Sequence, residues 1–374
     1  VAPKPPPPPN PKPPPPPSPQ PPPPPVPADG YASPPPPPPA FTKQAFAAGP
    51  LKNCVVFEDL DGSGTHDAGE ETAETDENGI FTFYKTLEAE LVLIPGDNCE
   101  DAWANLTYGV TLRAGFDSPV LSPLSSLALA LDSGFLTWAV SLVGEADAAA
   151  FSTYNPHDAT WDDALSTSVV QEVVKANAKL ATLADLTNSL LVGLDEQLLR
   201  RRARALRRRL SESMTDYERS VAVFELLEGV IVDTDFGGLG AFDADDAGQP
   251  GESIETLLTT PAAALIVGAD LDESQTSAVS RLIKRGYDFT ADSTAAATAT
   301  SDDPDELQLA VALSSAVNTL LFAPIVEDVA DETLAGDDIL IESLVNSDDD
   351  ILRGQVDIAY AMPPNPPPAD GTTA

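Results

Sequence analysis

Cys54-Val55-Val56-Phe57-Glu58-Asp59-Leu60-Asp61-Gly62-Ser63-Gly64-Thr65-His66-Asp67-Ala68-Gly69-Glu70 is the stretch on which the fold turns. Counted from Asp59, it carries oxygen ligands at the spacing of a twelve-residue calcium loop. Asp59, Asp61, Ser63, Asp67 and Glu70 offer side chains, Thr65 offers its backbone carbonyl, and Gly64 permits the sharp turn. Ca²⁺ needs several hard oxygens, and carboxylates this crowded repel one another unless a cation lies among them. The spacing predicts a structural Ca²⁺ site; the competing reading is an acidic, solvated loop without metal. Cys54–Phe57 before the loop and Ile80–Tyr84 after it are strand-like runs, so this is not a helix–loop–helix pair.

Further strands are expected at Glu90–Ile94 and from Leu106 to Leu112, with a hairpin turn at Asp76-Glu77-Asn78-Gly79 and another turn at Pro95-Gly96-Asp97-Asn98. Together they predict a small all-β sandwich over residues 41–118. The loop, with Thr75-Asp76-Glu77-Asn78-Gly79-Ile80-Phe81-Thr82-Phe83 after it, resembles the calcium-loop, prealbumin-like modules of bacterial surface proteins, the SdrD B type. The resemblance implies an Ig/prealbumin-like sandwich with a structural ion.

The chain has two cysteines, Cys54 and Cys99, and they bracket this module. A disulfide closing a loop of about 45 residues is predicted; the alternative is two unrelated buried thiols. Asn105-Leu106-Thr107 is the one N-x-S/T triplet in the chain, which makes Asn105 the candidate N-glycosylation site.

From residue 119 to residue 360 the apolar period becomes helical, predicting a larger all-α domain of seven to nine helices without internal repeats. Leu124, Leu127, Leu129 and Leu131 mark one helix, and Trp161 to Val192 marks a long one. Tyr217 to Val232 and Ile254 to Val267 mark two more. Asp272 to Gly286 reads as a helix with an N-cap, a terminal glycine and basic residues in its last turn. Pro304-Asp305-Glu306 opens a helix running through Leu307 to Phe322, and residues 325–345 hold another.

Of 39 prolines, 25 lie between Pro3 and Pro39 and 5 between Pro363 and Pro368. Residues 1–40 are therefore expected to form a polyproline II arm spanning on the order of 120 Å, and residues 361–374 a proline-rich tail. The proline runs, with Ser18-Pro19 and Ser33-Pro34, resemble the modules of green-algal and plant hydroxyproline-rich glycoproteins. That resemblance implies a cell-wall or cell-surface location and O-linked glycans on the contiguous prolines and neighbouring serines. The candidates are Pro5, Pro6, Pro7, Pro8, Pro9, Pro13, Pro14, Pro15, Pro16, Pro17 and Ser18, then Pro21, Pro22, Pro23, Pro24, Pro25, Ser33, Pro34, Pro35, Pro36, Pro37, Pro38 and Pro39.

The net charge of −39 argues against nucleic acid as a partner. The run from Val120 to Val143 is interrupted by Ser122, Pro123, Asp132 and Gly134, so no membrane span is expected. The start at Val1 reads as a mature, secreted chain. Seven of the 12 arginines, Arg200, Arg201, Arg202, Arg204, Arg207, Arg208 and Arg209, spread over one face of a predicted helix. They read either as a solvated basic face or as a docking strip for an acidic patch on a second copy or for an anionic glycan. An acidic stretch, Asp233 to Asp246, fits no calcium template. No nucleophile-elbow, metalloprotease, phosphate-loop or dinucleotide motif is present, and an enzyme is not expected.

These features predict an extracellular structural subunit, assembling with copies of itself through the arm into a filament or wall layer. The alternative is a monomeric, stalked adhesin or glycan-binding surface protein.

Overall fold

In the computed structural model the described residues are 40–131, 134, 139–140, 167–205, 214–232, 271–300, 304–335 and 339–359. The chain divides after Pro38, and all of these residues lie in the second unit, Pro39–Ala374. The arm with its glycosylation candidates, the helix expected over 254–267, the acidic stretch 233–246 and the C-terminal tail lie outside the described residues.

A small β-sheet region comes first and a larger helical region follows. The strands are β1 (Phe41–Ala45), β2 (Leu51–Lys52), β3 (Val55–Asp59), β4 (Thr72–Glu74), β5 (Ile80–Phe83), β6 (Glu90–Ile94), β7 (Glu100–Asp101), β8 (Leu106–Thr107), β9 (Leu112–Ala114) and β10 (Val120–Leu121). They form a four-stranded sheet in the order β4-β3-β6-β9 and two three-stranded sheets, β10-β1-β5 and β2-β7-β8. Only β1 and β10 run parallel. Alternation along β5 turns Phe81 and Phe83 inward, and Val56, Leu91 and Leu93 from β3 and β6 join the same core.

One turn expectation and one strand expectation change. Asp76 caps its turn by accepting from the Asn78 and Ile80 amides, both at 2.8 Å. The turn closes no hairpin, because β4 pairs with β3 whereas β5 pairs with β1. The chain crosses between sheets there. Leu106 to Leu112 is not one strand but two short ones, β8 and β9, in different sheets.

The helices are α1 (Pro123–Leu131), α2 (Thr167–Ala205), α3 (Asp216–Val232), α4 (Glu273–Thr300), α5 (Pro304–Val317), α6 (Ala323–Ala330), α7 (Ile339–Val345) and α8 (Asp349–Ala359), with a π-helical turn, Asn318–Phe322, between α5 and α6. Leu124, Leu127 and Leu131 of α1 are buried, while Leu129 is exposed. Ser125 and Ser126 of α1 donate to the Arg113 carbonyl of β9, at 2.9 and 3.2 Å, stitching the helical region to the sheet. One continuous apolar core runs from Ala45 of β1 to Val356 of α8.

Asp272 caps α4 as expected: it accepts from the Gln275 amide at 2.8 Å while Gln275 Oε1 accepts from the Asp272 amide at 3.0 Å. Gly286, however, does not end the helix. A Cβ there would lie 2.4 Å from Asn318 Oδ1 and 2.8 Å from Leu186 Cδ1, so the glycine allows close approach of α2 and the π turn. With Tyr287 and Phe289 buried beyond it, α4 continues to Thr300.

The run Asp305–Ala330 is long and apolar enough to cross a membrane, with a mean hydropathy of 1.9 over a window half buried in the fold. No span was expected here, and the polar Ser314, Ser315, Asn318 and Thr319 lie within the run. Its α6 end packs on α2 and its α5 end on α4, the position of a core helix.

Candidate metal loop and its supports

The loop between β3 and β4 is built from its first residue. Asp59 ends β3 and is buried. Its Oδ1 accepts from the Gly62 and Ser63 amides, at 2.8 and 3.1 Å, and its Oδ2 from the Gly64 amide, at 2.9 Å. These three bonds fold the chain back over the carboxylate. Gly64 adopts φ +69°, a left-handed conformation that costs a side-chain-bearing residue roughly 1–2 kcal/mol.

Glu70 closes the loop. Its Oε1 accepts from the Leu60 amide and its Oε2 from the Asp67 amide, both at 2.8 Å. Asp59, Asp61 and Glu70 thereby bring one carboxylate oxygen each to within 4.8 Å of one another. The Ser63 hydroxyl and amide hold the Asp61 carboxyl below its ordinary value.

Of the expected ligands, Asp59, Asp61 and Glu70 are gathered. Ser63 Oγ lies 3.1 Å from the Thr65 carbonyl and donates to it. Asp67 contributes its amide to Glu70, and its carboxylate is not part of the gathered group. Hard, anionic oxygens on a preformed turn fit a hard divalent cation: Asp59 Oδ1 spends both lone pairs on the Gly62 and Ser63 amides, but Asp59 Oδ2 and both Glu70 oxygens accept one amide each and keep a lone pair.

Sequence reading missed the residues that hold the loop against the body. Gly64 lies beneath the Tyr217 ring of α3. Arg113 of β9 sits over that ring, 5.2 Å from its centroid, and pairs with Glu90 through Nη2–Oε2 at 2.9 Å. Burial works against the Arg113 charge, but Glu90 outweighs it and raises the pKa. Glu90 is also the cross-strand neighbour of Asp59. α3 is fixed in turn by a capping box between Thr215 and Glu218 and by Ser220 Oγ donating to the Thr111 carbonyl at 2.6 Å.

Cys54 and Cys99 form a disulfide with Cα atoms 4.4 Å apart. It links the residue before β3 to the residue before β7, joining two sheets. Such bonds belong to oxidising compartments. Asn105 is exposed on the turn before β8, where its Oδ1 accepts from Lys52 Nζ at 3.3 Å. Arg200, Arg201, Arg202 and Arg204 fall on α2, whereas their side chains, and Arg207, Arg208 and Arg209 altogether, lie outside the described residues.

Comparison with protein-family models, with curated proteins and with solved structures found no match to this chain.

Proposed function

We propose that the chain is a structural subunit of an extracellular glycoprotein filament or cell-wall layer, with a calcium-braced body and a polyproline arm that links it to neighbouring copies. The observation that carries this reading is the convergence of Asp59, Asp61 and Glu70 on a loop locked to the body through Gly64 and Tyr217. Calcium held there ties β3, the loop and α3 together, which is a bracing role. The disulfide adds a second brace a few residues away. The fold class in this reading is an Ig/prealbumin-like sandwich beside an all-α domain.

In the same reading, residues 1–40 carry glycans on the proline and serine candidates and dock, already stiff, on adjacent bodies, losing little entropy in doing so. Asn105 carries an N-glycan. Arg200, Arg201, Arg202, Arg204, Arg207, Arg208 and Arg209 face acidic surface on the next copy or anionic glycan. Electron microscopy of the native material tests the proposal: extended polymers support it, and uniform monomers that bind glycan favour a stalked adhesin.

A further inference from the structure

Two of the sheets present unlike outer sides. In β4-β3-β6-β9, Val56, Leu91 and Leu93 face the core, so Phe57 and Val92, a cross-strand pair alternating with them, point the other way. Both are nonetheless fully buried, with the His66 ring of the loop 5.8 Å from that of Phe57. In β10-β1-β5 the inward residues are Phe81 and Phe83, and the outward ones remain open to solvent. Ile80 is 38% exposed and Tyr84, just past the strand, 63%. Between them Thr82 meets Thr42 of β1, hydroxyl to hydroxyl at 3.1 Å.

Tyr84 is more exposed than any other described Phe, Tyr or Trp. A carboxylate stands beside it: Glu71 Oε1 accepts from the Tyr84 amide at 3.2 Å, and no described basic side chain pairs with Glu71. The same sheet is where residues 1–39 join the body. Phe41 pairs with Phe83, and one step further along the two strands come the exposed Ala40 and Tyr84.

Charge selects the occupant. Lys4, Lys12 and Asp29 are the charged side chains of residues 1–40, a net of +1, so of the chain's −39 the remainder stands at −40. Two such bodies repel, and the arm is the part of one copy that the body of another attracts. Both lysines follow a proline, as Pro3-Lys4 and Pro11-Lys12, and none of these four residues is a glycosylation candidate. Polyproline II segments are recognised by exposed aromatic side chains, on which proline rings pack at little entropic cost.

We infer, on the reading of arm-linked assembly above, that the outer side of β5 is the docking site for the arm of a second copy, with the ring of Pro3 or Pro11 on Tyr84 and the lysine after it paired with Glu71. Ile80 extends the apolar floor beside Tyr84. Each body carries one such face and one arm, so the contact is head-to-tail, the kind that extends into a filament unless its rotation closes a ring.

Sedimentation of the full chain and its variants, at the ionic strength where the wild type polymerises, tests this. Tyr84→Ala should raise the concentration needed for polymers about tenfold. Glu71→Lys should do about the same, and so should Lys4→Glu combined with Lys12→Glu, because each sets like charges together. The two charge variants, each deficient alone, should copolymerise when mixed, since every arm then meets a face of opposite sign. Unimpaired polymers from Tyr84→Ala or from the arm variant overturn the proposal, as does a mixture that stays dispersed. If Tyr84→Ala fails to polymerise while the arm variant polymerises normally, the face takes some other surface, and the proposal falls. The arm substitutions lie outside the folded body, so they decide the matter even if Glu71→Lys misfolds. Wild-type polymers with unaffected variants sink this site and spare arm-linked assembly, whereas a wild type that never polymerises sinks both.

Discussion

Gly64 of the β3–β4 loop lies against the ring of Tyr217 on α3 so closely that a methyl group on Gly64 would stand 1.9 Å from Cγ of the ring. Two residues remote in sequence thus fix where the acidic loop sits. Arg113 holds the Tyr217 ring from β9, and Glu90 holds Arg113. Loop geometry and helix docking are therefore one arrangement, and a change at either residue should be felt at the other.

Gly64→Ala should lower stability by about 2–4 kcal/mol, from left-handed backbone strain plus overpacking against the ring. It should also weaken calcium binding. Combining it with Tyr217→Ala removes the overpacking and leaves the backbone strain, so the double variant should lose less than the two single losses added together. Chemical denaturation of all four proteins gives the coupling.

Asp59→Asn should weaken calcium binding at least about tenfold, close to 1.4 kcal/mol, because one oxygen becomes an amide nitrogen that cannot accept the turn amides or a cation. Asp67→Asn should change it little, since Asp67 contributes its backbone amide. Titration calorimetry compares them. For the native chain, chelation should lower Tm, and an unchanged Tm would count against the ion.

Replacing both Cys54 and Cys99 by serine should cost about 4 kcal/mol on the loop-entropy estimate for a separation of 45 residues. The loss should appear in denaturant midpoints, and reduction of the native chain should reproduce it.

Glu58 sets an acid limit. Burial favours its neutral form, but the Glu88 and Ala89 amides and Lys85, paired at 2.7 Å, outweigh that and hold the carboxyl below its ordinary 4.5. A depressed native pKa stabilises the fold above the unfolded value, and that stability fades as pH falls through the native one. Glu58→Gln should therefore flatten the decline in Tm below about pH 4.5 while lowering Tm at neutral pH.

Gly286→Ala should destabilise by about 1–3 kcal/mol despite the better helix propensity of alanine, because the added methyl meets Asn318 and Leu186. Were Gly286 a helix stop, the same change would tend to lengthen the helix with little effect on that contact.

Local spacing made Asp59, Asp61, Glu70 and the cysteine pair legible in the sequence, because a calcium loop is a short pattern and two lone cysteines leave one partner each. The start of α4 was legible for the same reason, Asp272 and Gln275 being a local pair. β4 was not, since Thr72-Ala73-Glu74 shows no apolar alternation and pairs only because β3 lies beside it. Gly286 misled because a glycine after basic residues is a local stop signal, while its actual constraint comes from Asn318 across the fold. Tyr217 acquires its meaning only from tertiary contacts, through Gly64 and Arg113.

The claim of arm-linked assembly is tested most directly by sedimentation of the glycosylated chain with and without residues 1–39. The account predicts extended polymers for the intact chain, and for the truncated one a folded monomer that keeps its disulfide and its calcium-dependent Tm. Polymers of equal size from the truncated chain would contradict it.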